Sequence, residues 1–183
     1  MKRLLFRIFC ITGTIFLATL PAVAQQSSPK EVPPDVPDAI AAPAGEDVVL
    51  FAHATGSQIY TCQTGADGKF AWTLKGPDAE LHDRAGKGIG SHSAGPTWKL
   101  KDGSEVTGKA AAHVDSLDPE SVPWLLLNAL SHTGKGTLEN VSAIQRVHTH
   151  GGQAPADGCD EPHKGAETKS AYSADYYFYA PAK

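Results

Sequence analysis

Apolar and polar side chains alternate along several short stretches of the chain, which is the pattern of a β-strand with one buried face. Phe70, Trp72 and Leu74 share one face of such a stretch and leave lysine, alanine and threonine on the other. Trp98 and Leu100 alternate with two lysines in the same way. Sheets with one packed face and one wet face are typically antiparallel, so the alternation predicts an antiparallel sheet.

Turn-forming residues divide the chain into short strand candidates. We expect tight turns at Thr55-Gly56, Gly76-Pro77 and Asp102-Gly103, where glycine or proline sets the backbone geometry. The strand candidates are residues 48–54, 57–63, 69–75, 79–82, 98–101, 105–114, 138–150 and 172–180.

One apolar run, residues 122–130, is the best helix candidate. Ser121 is a suitable N-cap, Pro123 suits the first turn, and Gly134 lies just past the end. Because the run is apolar on most sides, we expect it to plug one end of the sheet. Together the patterns predict an all-β fold, an antiparallel sandwich or barrel of about eight or nine strands with one short helix.

The first 24 residues are typical of a signal peptide. Basic residues precede an apolar run over 8–20, and Ala22-Val23-Ala24 forms a small-residue cleavage pattern. We expect an exported protein, periplasmic or extracellular, with no integral membrane segment after processing. Residues 25–47 are rich in proline, serine and alanine and predict a flexible lead-in. Residues 48–183 then form a single β domain.

Net charge limits the classes of partner that we expect, and the cysteine count predicts a crosslink. After processing, thirteen Lys and Arg face twenty Asp and Glu, a net charge of −7 that argues against nucleic acid as a partner. Cys62 and Cys159 are the two cysteines that remain, and an even number in an exported protein predicts one disulfide. A pair of thiolate metal ligands is the alternative.

A set of short motifs is spread over the mature chain. The motifs are Gln58-Ile59-Tyr60-x-Cys62, Gly76-Pro77-x-Ala79-x-Leu81, Gly90-x-His92-x-x-Gly95-Pro96-x-Trp98, Asp102-Gly103-Ser104, Pro123-Trp124-Leu125-Leu126-Leu127, Ile144-Gln145-Arg146-Val147, Gly151-Gly152, Cys159 and Ala174-Asp175-Tyr176-x-Phe178-Tyr179. Together they resemble a family of exported proteins known as domain of unknown function 3455. The resemblance implies no established activity. A dehydrogenase label that some relatives carry has no support here, because no G-x-G-x-x-G follows a strand.

His92 is the first candidate for catalysis, because it lies in a glycine-rich segment that could carry it into a pocket. Asp102 is a candidate neighbour, and a neutral imidazole oriented by a carboxylate can act as a general base. The alternative is a structural histidine that hydrogen-bonds a turn carbonyl and holds the loop in shape.

His148 and His150 are the first candidates for a metal site. Two residues apart on a strand, they project from one face, and His163 could supply a third ligand to a divalent metal. The alternative is that all three are solvated residues near strand ends. No other cofactor is predicted.

Arg146 and Gln145 occupy opposite faces of one strand candidate, so one of them faces inward. A buried arginine needs a carboxylate partner, and Asp175 on the last strand is our candidate.

The sequence thus predicts an exported β protein that binds an unidentified ligand or envelope partner, or that is a structural component of the envelope or extracellular space. A hydrolase or metal-binding enzyme that uses His92, or the pair His148 and His150, is the alternative. Aromatic residues such as Tyr60, Trp98 and Tyr176 either pack the core or line a ligand cavity.

Overall fold

Eight antiparallel strands close into one barrel in a computed structural model of the protein, which describes residues 31–182. The strands are β1 (Glu46–Thr64), β2 (Phe70–His82), β3 (Gly88–Ser93), β4 (Thr97–Leu100), β5 (Glu105–Val114), β6 (Trp124–Thr133), β7 (Ala143–Gly151) and β8 (Glu167–Pro181). Each strand pairs with the next along the chain, and β8 returns to pair with β1. The predicted all-β antiparallel fold is confirmed, and it is a barrel.

The up-and-down order of the strands places alternate connections at opposite ends of the barrel. The β2–β3, β4–β5 and β6–β7 connections lie at one end, which we call the plugged end. The other four connections lie at the opposite end, which we call the cavity end. Residues within 31–182 form no α-helix, only the 3-10 turns Asp38–Ile40 and Glu161–His163.

The predicted helix over residues 122–130 is wrong, because residues 124–130 form the start of β6. Leu127 packs inside the barrel, whereas Trp124 packs in a second cluster on its outer face. The run is apolar on both sides because both faces of β6 are covered. A short apolar run cannot be assigned to helix or strand by periodicity alone, since either element can be buried all round.

Two predicted turns are also wrong, because β1 and β2 run straight through them. At Gly56 the two strands approach so closely that a Cβ atom would lie 2.2 Å from the carbonyl oxygen of Asp78. At Gly76, where φ is +146°, the pairing shifts by one residue and leaves Lys75 as a β-bulge. These glycines allow close approach and a bulge inside long strands. The turn at Asp102-Gly103 is confirmed between β4 and β5.

The predicted strand over residues 138–150 begins only at Ala143. Before it, the β6–β7 loop folds over the barrel end and buries Leu138 and Val141, which are 0% and 1% exposed. Both side chains join the interior cluster with Leu81, Trp98 and Phe178. The β6–β7 loop therefore closes this end of the barrel, a role that the sequence assigned to a helix.

The lead-in packs on the outer face of the barrel from residue 31 onward. Ile40 is fully buried there against Trp124 and Tyr179, and its carbonyl accepts a 2.6 Å hydrogen bond from the side chain of Gln145. The lead-in thus buries the outward-facing side of β7, where the polar Gln145 lies between Ala143 and Val147. The predicted signal peptide and residues 25–30 lie outside the described residues. Within the described range, no helix is long and apolar enough to cross a membrane.

Candidate functional site

A cavity of about 230 Å³ lies inside the cavity end of the barrel. All eight strands contribute to its wall, so it belongs to the barrel interior and not to a surface groove. The lining residues are Gln58, Leu74, Lys75, Gly76, Pro77, His92, Gly95, Pro96, Trp98, Ala110, Leu125, Leu127, Arg146 and Tyr176. Leu74 and Gly95 are also exposed to solvent, which places the mouth of the cavity beside the bulge of β2 and the β3–β4 turn.

His92 lies in the wall of this cavity and is 3% exposed. Its Nδ1 lies 2.9 Å from the carbonyl oxygen of Thr97, which can only accept, so Nδ1 carries the proton. Its Nε2 lies 3.0 Å from the hydroxyl of Tyr176, which in turn lies 2.6 Å from the hydroxyl of Tyr172. The imidazole ring also stacks on Trp98 with 4.5 Å between ring centroids. Both ring nitrogens of His92 are therefore occupied.

Burial sets the protonation state of these groups. It lowers the pKa of His92 to about 4, although the bond to Thr97 opposes that change. It raises the pKa of Tyr172 and of Tyr176 above the ordinary tyrosine value. The positive charge of Arg146 partly offsets the rise for both tyrosines and adds to the fall for His92. At neutral pH the three hydrogen-bonded side chains are therefore uncharged. The hydroxyl of Tyr172 donates to that of Tyr176, which donates to Nε2 of His92.

Two of the residues that line the cavity each carry a buried polar atom with no hydrogen-bond partner. These atoms are Oε1 of Gln58 and Nε1 of Trp98, and both residues are at most 2% exposed. Within residues 31–182 only two other buried side-chain atoms lack a partner, Oε2 of Glu46 and Nε1 of Trp124. An unpaired buried polar group costs about 1–3 kcal/mol. Two of the four unpartnered buried atoms in residues 31–182, one acceptor and one donor, therefore belong to residues that line this cavity.

Arg146 brings the charge to the site. The sequence placed either Arg146 or Gln145 inside, and the structure places Arg146 there, while Gln145 is buried under the lead-in. The predicted pairing of Arg146 with Asp175 is wrong. Nε and Nη2 of Arg146 donate to the carbonyl oxygen of Pro123 at 3.2 and 2.8 Å, and no ion pair joins Arg146 to a carboxylate among residues 31–182.

Asp175 faces outward on β8 and contacts two histidines instead. Its carboxylate lies 2.7 Å from Nδ1 of His53 and 3.0 Å from Nδ1 of His148. The side chain of His148 also meets the edge of Trp124. This cluster lies on the outside of the barrel, so Asp175 is already engaged and lies on the wrong face of β8 to reach Arg146.

The three candidate metal ligands are not brought together. A bulge after Val147, with His148 at φ +49°, interrupts the alternation that would align His148 with His150. His150 lies 4.0 Å from Asp118 and His163 lies 2.5 Å from Asp160, so each histidine has its own carboxylate. In the part of the chain that the structure describes, no group of three histidine, cysteine or acidic side chains could hold a metal ion.

The candidate catalytic pair is likewise separated. Asp102 lies at the plugged end, where its carboxylate accepts hydrogen bonds from Ser104 and from the backbone N–H of Thr137. These bonds lower the pKa of Asp102. They attach the β6–β7 loop to the β4–β5 turn. His92 lies at the other end of the barrel, so Asp102 cannot orient it.

The disulfide prediction is confirmed. Cys62 and Cys159 are joined, with their Cα atoms 5.3 Å apart. The bridge ties the end of β1 to the β7–β8 connection. Trp72 supports the same connection by donating to the carbonyl oxygen of Asp157 at 2.8 Å. The cavity end is thus the covalently crosslinked end of the barrel.

Sequence reasoning missed Gln58 as a site residue, although a signal was present. Gln58 has the same strand parity as Tyr60 and Cys62, which are both buried. A glutamine on the apolar face of a strand needs a partner or a function, because burying an unpaired amide is costly. That pattern alone is enough to predict Gln58 as a candidate site residue.

These observations define a small up-and-down β-barrel with a partly polar cavity at one end. The chain belongs to the family described as protein of unknown function (DUF3455), whose model matches residues 43–180. That match covers all eight strands and confirms the resemblance found in the motifs. No curated protein and no solved structure matches the chain.

Proposed function

We propose that this protein is an exported binding protein that holds one small molecule in the cavity of its barrel. The observation that carries the proposal is that two residues lining one cavity each hold an unpartnered buried atom, Oε1 of Gln58 and Nε1 of Trp98. A ligand that donates to Gln58 and accepts from Trp98 would satisfy both atoms.

The size and shape of the site support binding. Eight-stranded barrels have interiors that are either filled by side chains or hold one small ligand. A buried apolar cavity of about 150 Å³ is enough for benzene, and this one measures about 230 Å³. The site therefore suits a molecule of one ring or a short chain with one or two polar groups.

Export is part of the proposal because the sequence supports it in two ways. Residues 1–24 are typical of a signal peptide, and the Cys62–Cys159 bridge suits an oxidising compartment such as the periplasm or the extracellular space. Binding is favoured over hydrolysis, because both nitrogens of His92 are occupied and no carboxylate orients the ring.

The first test is native mass spectrometry on the mature protein purified from its own host without chelators. We expect a polypeptide two hydrogens lighter than its reduced form that carries a bound molecule of small mass. Gln58→Leu should reduce the bound fraction. Wild-type protein that is never found with a bound molecule would contradict the proposal.

Gln145 offers a matched control, since the chain buries two glutamines of opposite status. Gln145 donates to Ile40 and accepts from Tyr179, whereas Oε1 of Gln58 has no partner. Gln145→Leu should lower the free energy of unfolding by about 1–3 kcal/mol, because it leaves buried partners unpaired. Gln58→Leu should leave stability unchanged or higher. An equal loss in both variants would mean that Gln58 is structural and would contradict a binding role.

A further inference from the structure

The charge balance of the cavity is one-sided. Among its fourteen lining residues, Arg146 and Lys75 carry positive charge and none carries negative charge. Lys75 is exposed and its Nζ is paired with Glu167 at 2.5 Å. Arg146 is partly buried and has no carboxylate partner within residues 31–182. The interior therefore holds one uncompensated cation.

Arg146 retains donors for a ligand. A guanidinium has five N–H groups, and the two contacts to the Pro123 carbonyl use one from Nε and one from Nη2. The other three N–H groups include the pair on Nη1. Because the guanidinium also interacts with the hydroxyls of Tyr172 and Tyr176 by hydrogen bonding, a carboxylate would share these donors with the two tyrosines. The contact with Pro123 also fixes the guanidinium in place, so little side-chain freedom is lost on binding.

The other walls suit the body of such a ligand. Leu125, Leu127 and Ala110 line the cavity from β5 and β6, and Trp98 offers its unpartnered indole N–H. The hydrogen-bonded side chains of His92 and Tyr176 are neutral, so they cannot neutralise the charge of Arg146. An anionic head beside Arg146 and a compact apolar body against the leucines would match these walls, and the donor that Oε1 of Gln58 lacks would have to come from a further group on that body.

From this juxtaposition we infer that the barrel selects a small organic monoanion, a carboxylate with a compact apolar body, whose charged group pairs with Arg146. The inference rests on the proposed binding function and names the class of ligand. It requires that charge on the ligand, and not shape alone, decides affinity.

Benzoate and benzamide test this requirement, because they have nearly the same size and differ in charge. NMR titration of the ¹⁵N-labelled mature protein follows the indole N–H of Trp98 in the cavity. The indole N–H of Trp124 is an internal control, since it is also buried and unpartnered but lies in the outer-face cluster. We expect both probes to shift the Trp98 signal and leave that of Trp124 in place.

Wild-type protein should bind benzoate about tenfold more tightly than benzamide, as expected when one hydrogen bond becomes charge-assisted. Arg146→Gln should abolish that preference while benzamide binding changes little. Arg146→Lys should retain part of the preference, because it keeps the charge and loses the fork of donors. Lys109→Gln removes the same charge from the exposed face of β5, next to the cavity-facing Ala110, and should keep the full preference.

Equal binding of benzoate and benzamide by the wild-type protein would overturn the inference and leave the proposed binding function standing. Failure of both probes to shift Trp98 would overturn the inference, and the native mass measurement would then decide the proposed function separately. A preference that survives in Arg146→Gln would also overturn the inference. The comparison in wild-type protein does not depend on any variant folding.

Discussion

The plugged end and the cavity end of the barrel are built from the same eight strands, but they satisfy their buried polar groups differently. At the plugged end, Ser104 is fully buried and every one of its side-chain contacts is internal, to Asp102 and to the N–H of Leu138. At the cavity end, Gln58 and Trp98 each leave a polar atom unpaired. The plugged end leaves one buried atom unpaired, Oε2 of Glu46 at the start of β1, whereas the cavity end leaves two on residues that line a single cavity, where the proposed ligand would bind.

The difference shows how one fold can separate stability from binding. Leu138 and Val141 fill the barrel at the plugged end, where packing supplies stability. The cavity end lacks that filling and is held by the Cys62–Cys159 bridge. A crosslink stabilises the fold without occupying the interior, which leaves the cavity free.

Removal of the disulfide should have the largest effect. The bridge closes a loop of 97 residues, for which chain entropy gives about 4.7 kcal/mol as an upper value. We expect the double change of Cys62 and Cys159 to Ser to lower the free energy of unfolding by about 2–5 kcal/mol. Hydrogen exchange should rise first in β1 and β8 near the cavity end. An unchanged melting temperature would show that this end does not depend on the crosslink.

Mild acid should weaken the cavity end next. Because the pKa of folded His92 is about 4, against about 6.5 in an unfolded chain, the unfolded state binds the proton more readily. His92 therefore makes its full contribution to the free energy of unfolding above about pH 6.5. This contribution, about 3 kcal/mol, is lost as the pH falls toward 4. His92→Gln should remove this part of the pH dependence. Urea unfolding at pH 7, 5 and 4 measures it, and identical curves for both proteins would contradict the argument.

The plugged end should respond only to stronger acid, and by less. Hydrogen bonds from Ser104 and Thr137 lower the pKa of Asp102, so its contribution is present above about pH 4 and is lost below. Because the carboxylate is exposed, we expect Asp102→Asn to cost only about 1 kcal/mol at pH 7. The loss should shrink as the pH falls from 4 toward 2. If Asp102→Asn lowered the free energy of unfolding equally from pH 7 to pH 2, the effect would come from the shape of the side chain and not from its charge.

Much of the fold could be predicted from local patterns. The two turn predictions that failed share one cause. The alternation at Phe70, Trp72 and Leu74 identified a true strand, and Asp102-Gly103 identified a true turn. Gly56 and Gly76 were read as turns because local rules take glycine as a break in a strand. They instead permit contacts with β2 and with Ala94, partners that local sequence does not reveal.

The candidate site was less predictable, because its residues come from eight different strands. His92 was recognised in advance, but its partner Tyr176 is 84 residues away. Arg146 was expected to face a carboxylate, since a buried cation is costly without one. The sequence places Asp175 one residue from Tyr176, which faces the cavity, and that single step puts Asp175 on the opposite face of β8.

By itself the sequence determined the antiparallel β character, the pairing of Cys62 with Cys159 and the family, because alternation, cysteine count and motifs are properties of the chain. Tertiary structure decided that residues 124–130 form a strand, since the lead-in covers their second face. It also decided that Gln58, Trp98 and Arg146 meet around one cavity. Closing eight strands into a ring fixes which side chains face each other across the interior, and no local pattern carries that information.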